Sequence, residues 1–154
     1  MSDLLIARVL HVLAVVLWIG GVSMVTTVLL PAVRRSAAPA DRFATFDRME
    51  RRFASQSRWT TAAAGLTGFY MTWKFDLWAR FAEARFWWMH AMVAVWLVFT
   101  LMLFVLEPLV LHRLLERRAA RDPEGTYRLV ERLHVGLLAA SLLTIAGVIA
   151  GVHG

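Results

Sequence analysis

Five histidines and no cysteine stand among the 154 residues. Disulfides, thiolate metal sites and redox thiols are therefore excluded, and redox chemistry would need a bound group held by other ligands. Helix arithmetic gives the histidines a depth. With helices entering near residues 4 and 86, His11 lies about 10 Å and His90 about 6 Å below the same boundary. His112 and His134 fall near the opposite ends of the third and fourth helices, at a second level, and His153 lies near the outer end of the fourth. Ionisable side chains inside a membrane are costly, so they face a bundle interior and mark a functional path or a cofactor. Imidazole suits haem iron and copper alike, and two levels of paired histidines are what a dihaem bundle offers. The plainer reading is that each ring hydrogen-bonds a neighbouring helix.

The surroundings of these histidines admit the same alternatives. Trp18 follows His11 by one heptad and Trp96 follows His90 by six residues, so two indoles at mid-depth could wall a flat macrocycle or simply pack the core. Met89, His90 and Met92, with Met71 approaching from the second helix, make a soft-ligand group suited to Cu(I). On one helix, however, Met89 and Met92 cannot both point where His90 points. Glu107 and Pro108 predict a kink whose carboxylate reaches interface water or Arg113, with a proton relay as the sharper alternative. Gly20, Gly21, Gly147 and Gly151 bring helices together or leave room for a flat cofactor.

The elements that position these residues follow from composition. Apolar residues make up 59% and charged residues 18% of the chain, so an ordinary water-soluble domain is excluded. Residues 9–33, 59–73, 86–106 and 133–154 carry no Asp, Glu, Lys or Arg. A helix needs about 20 apolar residues to cross the hydrocarbon core. The fold expected is all-α, a four-transmembrane-helix bundle forming one domain over 1–154, with spans near 4–30, 56–76, 86–111 and 129–152. The first run is expected to stay as a span, since no basic segment precedes it and it is too long for a signal peptide. The second is the shortest and needs Arg58 and Lys74 to reach outward. Its hydroxyls and the pair Gly65 and Gly68 place it deepest among its neighbours. Phe43, Phe46, Met49 and Phe53 share one helical stripe in the first link, predicting an amphipathic cytoplasmic helix or an extension of span two.

Charge sets the orientation. Of the 17 basic residues, Arg34, Arg35, Arg42, Arg48, Arg51, Arg52 and Arg58 lie between spans one and two, and Arg113, Arg117, Arg118, Arg121, Arg128 and Arg132 lie between three and four. Arg8, Lys74, Arg80 and Arg85 alone fall on the other side. The positive-inside rule places both Arg-rich links in the cytoplasm and both termini outside, as in a bacterial inner membrane. The aromatic residues between 73 and 88 suit the opposite headgroup belt. Phosphate-binding motifs and a basic groove interleaved with aromatics are both missing, so the partners expected are the lipid bilayer and anionic headgroups, with no nucleic acid.

The run from Leu10 and His11 to Leu17, Trp18, Ile19, Gly20 and Gly21 resembles the first helix of CopD-type and HemJ-type four-helix membrane proteins. Phe46 to Phe53 resembles their basic link, Leu66, Thr67 and Gly68 their second helix, and Trp88, Met89, His90 and Ala91 the opening of HemJ-type helix three. The HemJ-type resemblance implies a b-type haem held through His11 and oxidation of protoporphyrinogen IX. The lysine of that family's third helix is replaced by Met92, and its Asn-Glu-x-Pro entry to the last helix by Val130, Glu131, Arg132 and Leu133. CopD-type resemblance implies copper transport or resistance. The leading expectation is a haem b protein with one haem, or two, and His11 and His90 as axial ligands. His134, His112, Trp18 and Met92 complete the site, and a quinone, a porphyrin-type molecule or a redox subunit, homo-oligomeric or not, is the partner. A HemJ-like oxidase and a Cu(I) transporter are the alternatives.

Overall fold

The structure, a computed structural model, describes residues 3–153, with side chains through residue 151. Among the described residues there are helices and short turns and no strand. Helix α1 covers Asp3–Ser36, α2 Arg42–Lys74, α3 Ala84–Arg121 and α4 Pro123–His153. Two prolines lie within these helices and one starts a helix. In α1 a π-helical turn, Val25–Leu29, precedes Pro31, and in α3 the π stretch Met102–Leu111 contains Pro108. The wider turn absorbs the ring that an α-helical interior would reject. Pro123 takes the first position of α4, where the missing N–H costs nothing. Asp122 caps that helix by accepting the Gly125 N–H at 2.9 Å.

Three helices, α1, α3 and α4, are long and apolar enough to cross a membrane. The expectation of four apolar spans is thus met by three on composition. The α2 helix is 33 residues long, but its first half is Arg-rich and its second half is interrupted by threonines. The predicted cytoplasmic helix is no separate element: Phe43, Phe46 and Phe53 lie on the same continuous helix as Thr67 and Tyr70. Phe43 and Phe46 are buried and Phe53 packs against the core, while Met49 is exposed, so the apolar stripe holds at three of its four positions. Leu97, Val98, Leu101, Phe104 and Val105 of α3 face outward, an apolar surface suited to lipid.

The helices lock through glycine notches. An added Cβ at Gly21 would strike the Phe53 ring, at Gly65 the Trp96 indole, at Gly147 the Trp87 ring and at Gly151 the Trp88 ring. Thus α2 enters α1, α3 enters α2, and α3 enters α4 twice. Of the two roles foreseen for Gly21, Gly147 and Gly151, close helix contact is the one seen, their notches being filled by these aromatic rings, while Gly20 faces open space. One core layer is built on Ala14, Trp18, Ile19, Val22, Ala64 and Phe99. A second, towards the Arg-rich links, is built on Leu30, Val33, Phe43, Phe46, Tyr127 and Val130. At this second layer Arg34 of α1 pairs with Glu124 and Glu131 of α4, and Arg42 of α2 pairs with Glu124.

Candidate functional site

The α2 helix seats the His11 ring. Its Nδ1 lies 3.0 Å from the Ala64 carbonyl oxygen and 3.0 Å from Thr67 Oγ1. The Thr67 hydroxyl donates to the Ala63 carbonyl at 2.6 Å, so its oxygen is left to accept. A carbonyl can only accept as well. Nδ1 therefore carries the proton and donates, and Nε2 keeps its lone pair. Gly68 supplies the space, since a Cβ there would stand 3.2 Å from the ring's Cε1. Tryptophan packing closes the layers beyond it. Trp18 is buried edge-on to Phe99, centroids 4.9 Å apart, and Trp96 donates to the Thr61 carbonyl at 3.0 Å while filling the Gly65 notch. Both indoles are occupied in core packing.

His90 is held differently. It is exposed, its Nε2 donates to the Phe81 carbonyl at 2.9 Å, and its ring stands edge-on to Phe81. Phe81 belongs to the 3-10 turn Trp78–Ala82 between α2 and α3. The two histidines thus rest on different elements, α2 for His11 and the aromatic connection for His90. Met89 is buried whereas Met92 is exposed, so the soft-ligand group is split between two faces of α3.

At the Arg-rich end the histidines meet carboxylates. His112 Nδ1 is 3.0 Å from Asp47 Oδ1, and Nε2 is 3.1 Å from both Glu116 Oε1 and Arg51 Nη2. One of the latter accepts and the other donates, so a neutral ring takes Arg51 and a protonated ring takes Glu116. His134 donates Nδ1–H to the Val130 carbonyl at 2.9 Å, stands edge-on to Phe46, and has Nε2 3.8 Å from Glu50 Oε1. The expected second pair of imidazoles is therefore interleaved with Asp47 and Glu50, one turn apart on α2. Among the described residues no group of three His, Cys, Asp or Glu is arranged to hold a metal ion. The His153 side chain lies outside the described residues.

Glu107 pairs with Arg58 at 3.1 Å, in place of the interface water or Arg113 that its position suggested. Nor does Arg58 reach outward: its Nε donates to the Leu103 carbonyl at 3.1 Å. In a π-helical stretch the partner of that carbonyl would be the N–H five residues on, and that residue is Pro108. The arginine supplies the proton that the proline lacks. Arg58 and Thr67 are the site residues that sequence reasoning passed over. Pro108 was the available signal for the first, and the small residues around Ala64 for the second.

Burial first, then the nearby Glu107 and Asp47 carboxylates, pushes the Glu50 carboxyl up to about 7. Its ordinary value of 4.5 describes the unfolded chain. Between these two values the folded state holds a proton that the unfolded state has lost, so stability falls as pH rises through that window. Glu50 is about a third exposed, which leaves a loss on the order of 1 to 2 kcal/mol. Thermal unfolding in detergent should show Glu50→Gln removing this slope and exceeding wild type at pH 8. An unchanged slope would rule Glu50 out as its source.

Compared with family models, with curated proteins and with solved structures, the chain matches none of them.

Proposed function

We propose that the chain is a four-span bundle of a bacterial cytoplasmic membrane that binds haem b through His11 and serves electron transfer with a quinone or a redox subunit. Its termini face outward and its Arg-rich links face the cytoplasm. The observation carrying this reading is the His11 ring, half-buried among apolar helices, with Nδ1–H given to the Ala64 carbonyl and Nε2 free. A histidine that ligates a metal characteristically donates its other N–H in this way, which fixes the tautomer and raises the ligand's basicity. The donor chemistry fits a haem iron. His90 is the second donor at the same end, with Nε2 committed to Phe81 and Nδ1 available.

Bound haem b would supply one-electron chemistry. This chain's residues contribute the rest: Ala64 and Thr67 orient His11, Gly68 admits its ring, and Trp18 and Trp96 pack the bundle below it. The likeness to HemJ-type bundles is favoured over the CopD-type likeness because Met89 and Met92 face different sides. For the fourth span, most polar side chains of α2 are paired within the helix or with α3, as hydrocarbon requires. Thr60, Thr67 and Thr72 each donate to the carbonyl four residues back, and Arg58 is paired with Glu107.

The test is an absorption spectrum of the purified chain, oxidised and then dithionite-reduced, with a pyridine haemochrome count. A Soret band with sharp reduced α and β bands is expected. Colourless protein from haem-replete cells would overturn the reading and direct attention to Cu(I) titration.

A further inference from the structure

We propose that α1, α2 and α3 enclose a small water-binding site midway along the bundle, held by Trp18 Nε1, Thr61 Oγ1 and Thr100 Oγ1. These three atoms are buried and have no hydrogen-bond partner among the described residues. Trp18 is 5% exposed and Thr61 0%. Other helical hydroxyls of the chain behave differently: those of Thr26, Thr60, Thr67, Thr72, Ser141 and Thr144 each donate to the carbonyl four residues back. Thr61 and Thr100 forgo that bond in the layer where it is hardest to replace.

Contacts between their neighbours bring the segments carrying the three groups together. Trp18 packs edge-on against Phe99, the neighbour of Thr100. Trp96, one turn before Thr100, donates to the main-chain oxygen of Thr61. The indole can only donate, whereas each hydroxyl can donate or accept. A guest serving all three must accept from Trp18 and exchange protons with the threonines. Water does both; a metal cation would be repelled by the indole N–H. Ala14, Ala64 and Phe99 are buried in the same cluster as Trp18, so a small guest such as water suits the layer. Buried waters typically satisfy groups of this kind. One turn further along, Arg58, the Leu103 carbonyl and Glu107 continue the polar line towards Glu50 and His134. The inference does not depend on haem binding.

The experiment is NMR of the full chain in detergent micelles with 15N-labelled tryptophan, the Trp18 indole being assigned by the signal lost in Trp18→Phe. A direct water cross-peak is expected at the Trp18 indole N–H, and none at Trp96, whose proton is committed to Thr61. Absence of the Trp18 cross-peak in the wild-type chain overturns the proposal. A second measurement reads Tm: with water in place, Thr61→Val and Thr100→Val each lower it. A dry site predicts the opposite, because an unpaired hydroxyl exchanged for a methyl relieves an unmet hydrogen bond. A rise in Tm for Thr61→Val therefore also overturns it.

Discussion

His11→Ala should abolish haem binding. Purified from haem-replete cells, the variant is expected to lack the Soret band, while circular dichroism still reports the full helical content. The prediction rests on Nε2, the one ring nitrogen of His11 left free once Nδ1 is given to Ala64 and Thr67. Thr67→Val separates ligand from support. It removes one of two acceptors while the Ala64 carbonyl remains, so affinity should fall by no more than about 10-fold. His90→Ala should keep the pigment but change the coordination from six ligands to five, visible as a high-spin shift of the oxidised spectrum. Wild-type haem content in His11→Ala would sink the assignment, whatever His90→Ala does.

Tyr127→Ala is expected to be the most damaging substitution for stability. The side chain is 0% exposed, its hydroxyl donates to the Leu30 carbonyl at 2.8 Å, and its ring lies between Phe46 and the Arg34 guanidinium. Truncating a buried aromatic costs about 3 to 5 kcal/mol. Tyr127→Phe keeps the packing and loses only the hydroxyl, leaving the Leu30 carbonyl short of a partner, for about 1 to 2 kcal/mol. Denaturant or thermal unfolding in micelles should rank the two in that order. Equal losses would mean that the hydrogen bond, and not the ring, joins α1 to α4 at this end.

The helices and their ends away from the Arg-rich links were legible because charge and apolarity are separated along this chain into long blocks. At the Arg-rich links, by contrast, α2 begins at Arg42 and α3 runs on to Arg121, well past the expected spans. The approach of α2 to its neighbours was legible as well, from Gly65 and Gly68. Rotation of each helix about its own axis was not. His11 and His90 can be assigned similar depths from numbering alone, but numbering does not say that one ring turns into α2 and the other towards Phe81. The same limit hid the partners of His112 and His134, since Asp47 and Glu50 belong to a stretch that reads as an Arg-rich surface. The glycine notches show why. Whether Gly147 receives a cofactor or the Trp87 ring depends on which face of α3 arrives, and that is settled by the whole bundle at once.

The bond from Arg58 to Leu103 bears on how the chain enters a bilayer. An arginine costs up to about 3 kcal/mol at the centre of an inserting helix and less near its end. For α2 the groups that relieve this cost, the Leu103 carbonyl and the Glu107 carboxylate, are not its own. They are synthesised about 45 residues later, on α3. In the proposed four-span arrangement, α2 would therefore linger at the translocon or the interface during synthesis until α3 emerges, and the two would partition into lipid as a pair. A chain truncated before residue 103 should leave α2 accessible to aqueous labelling, and extension past residue 108 should protect it.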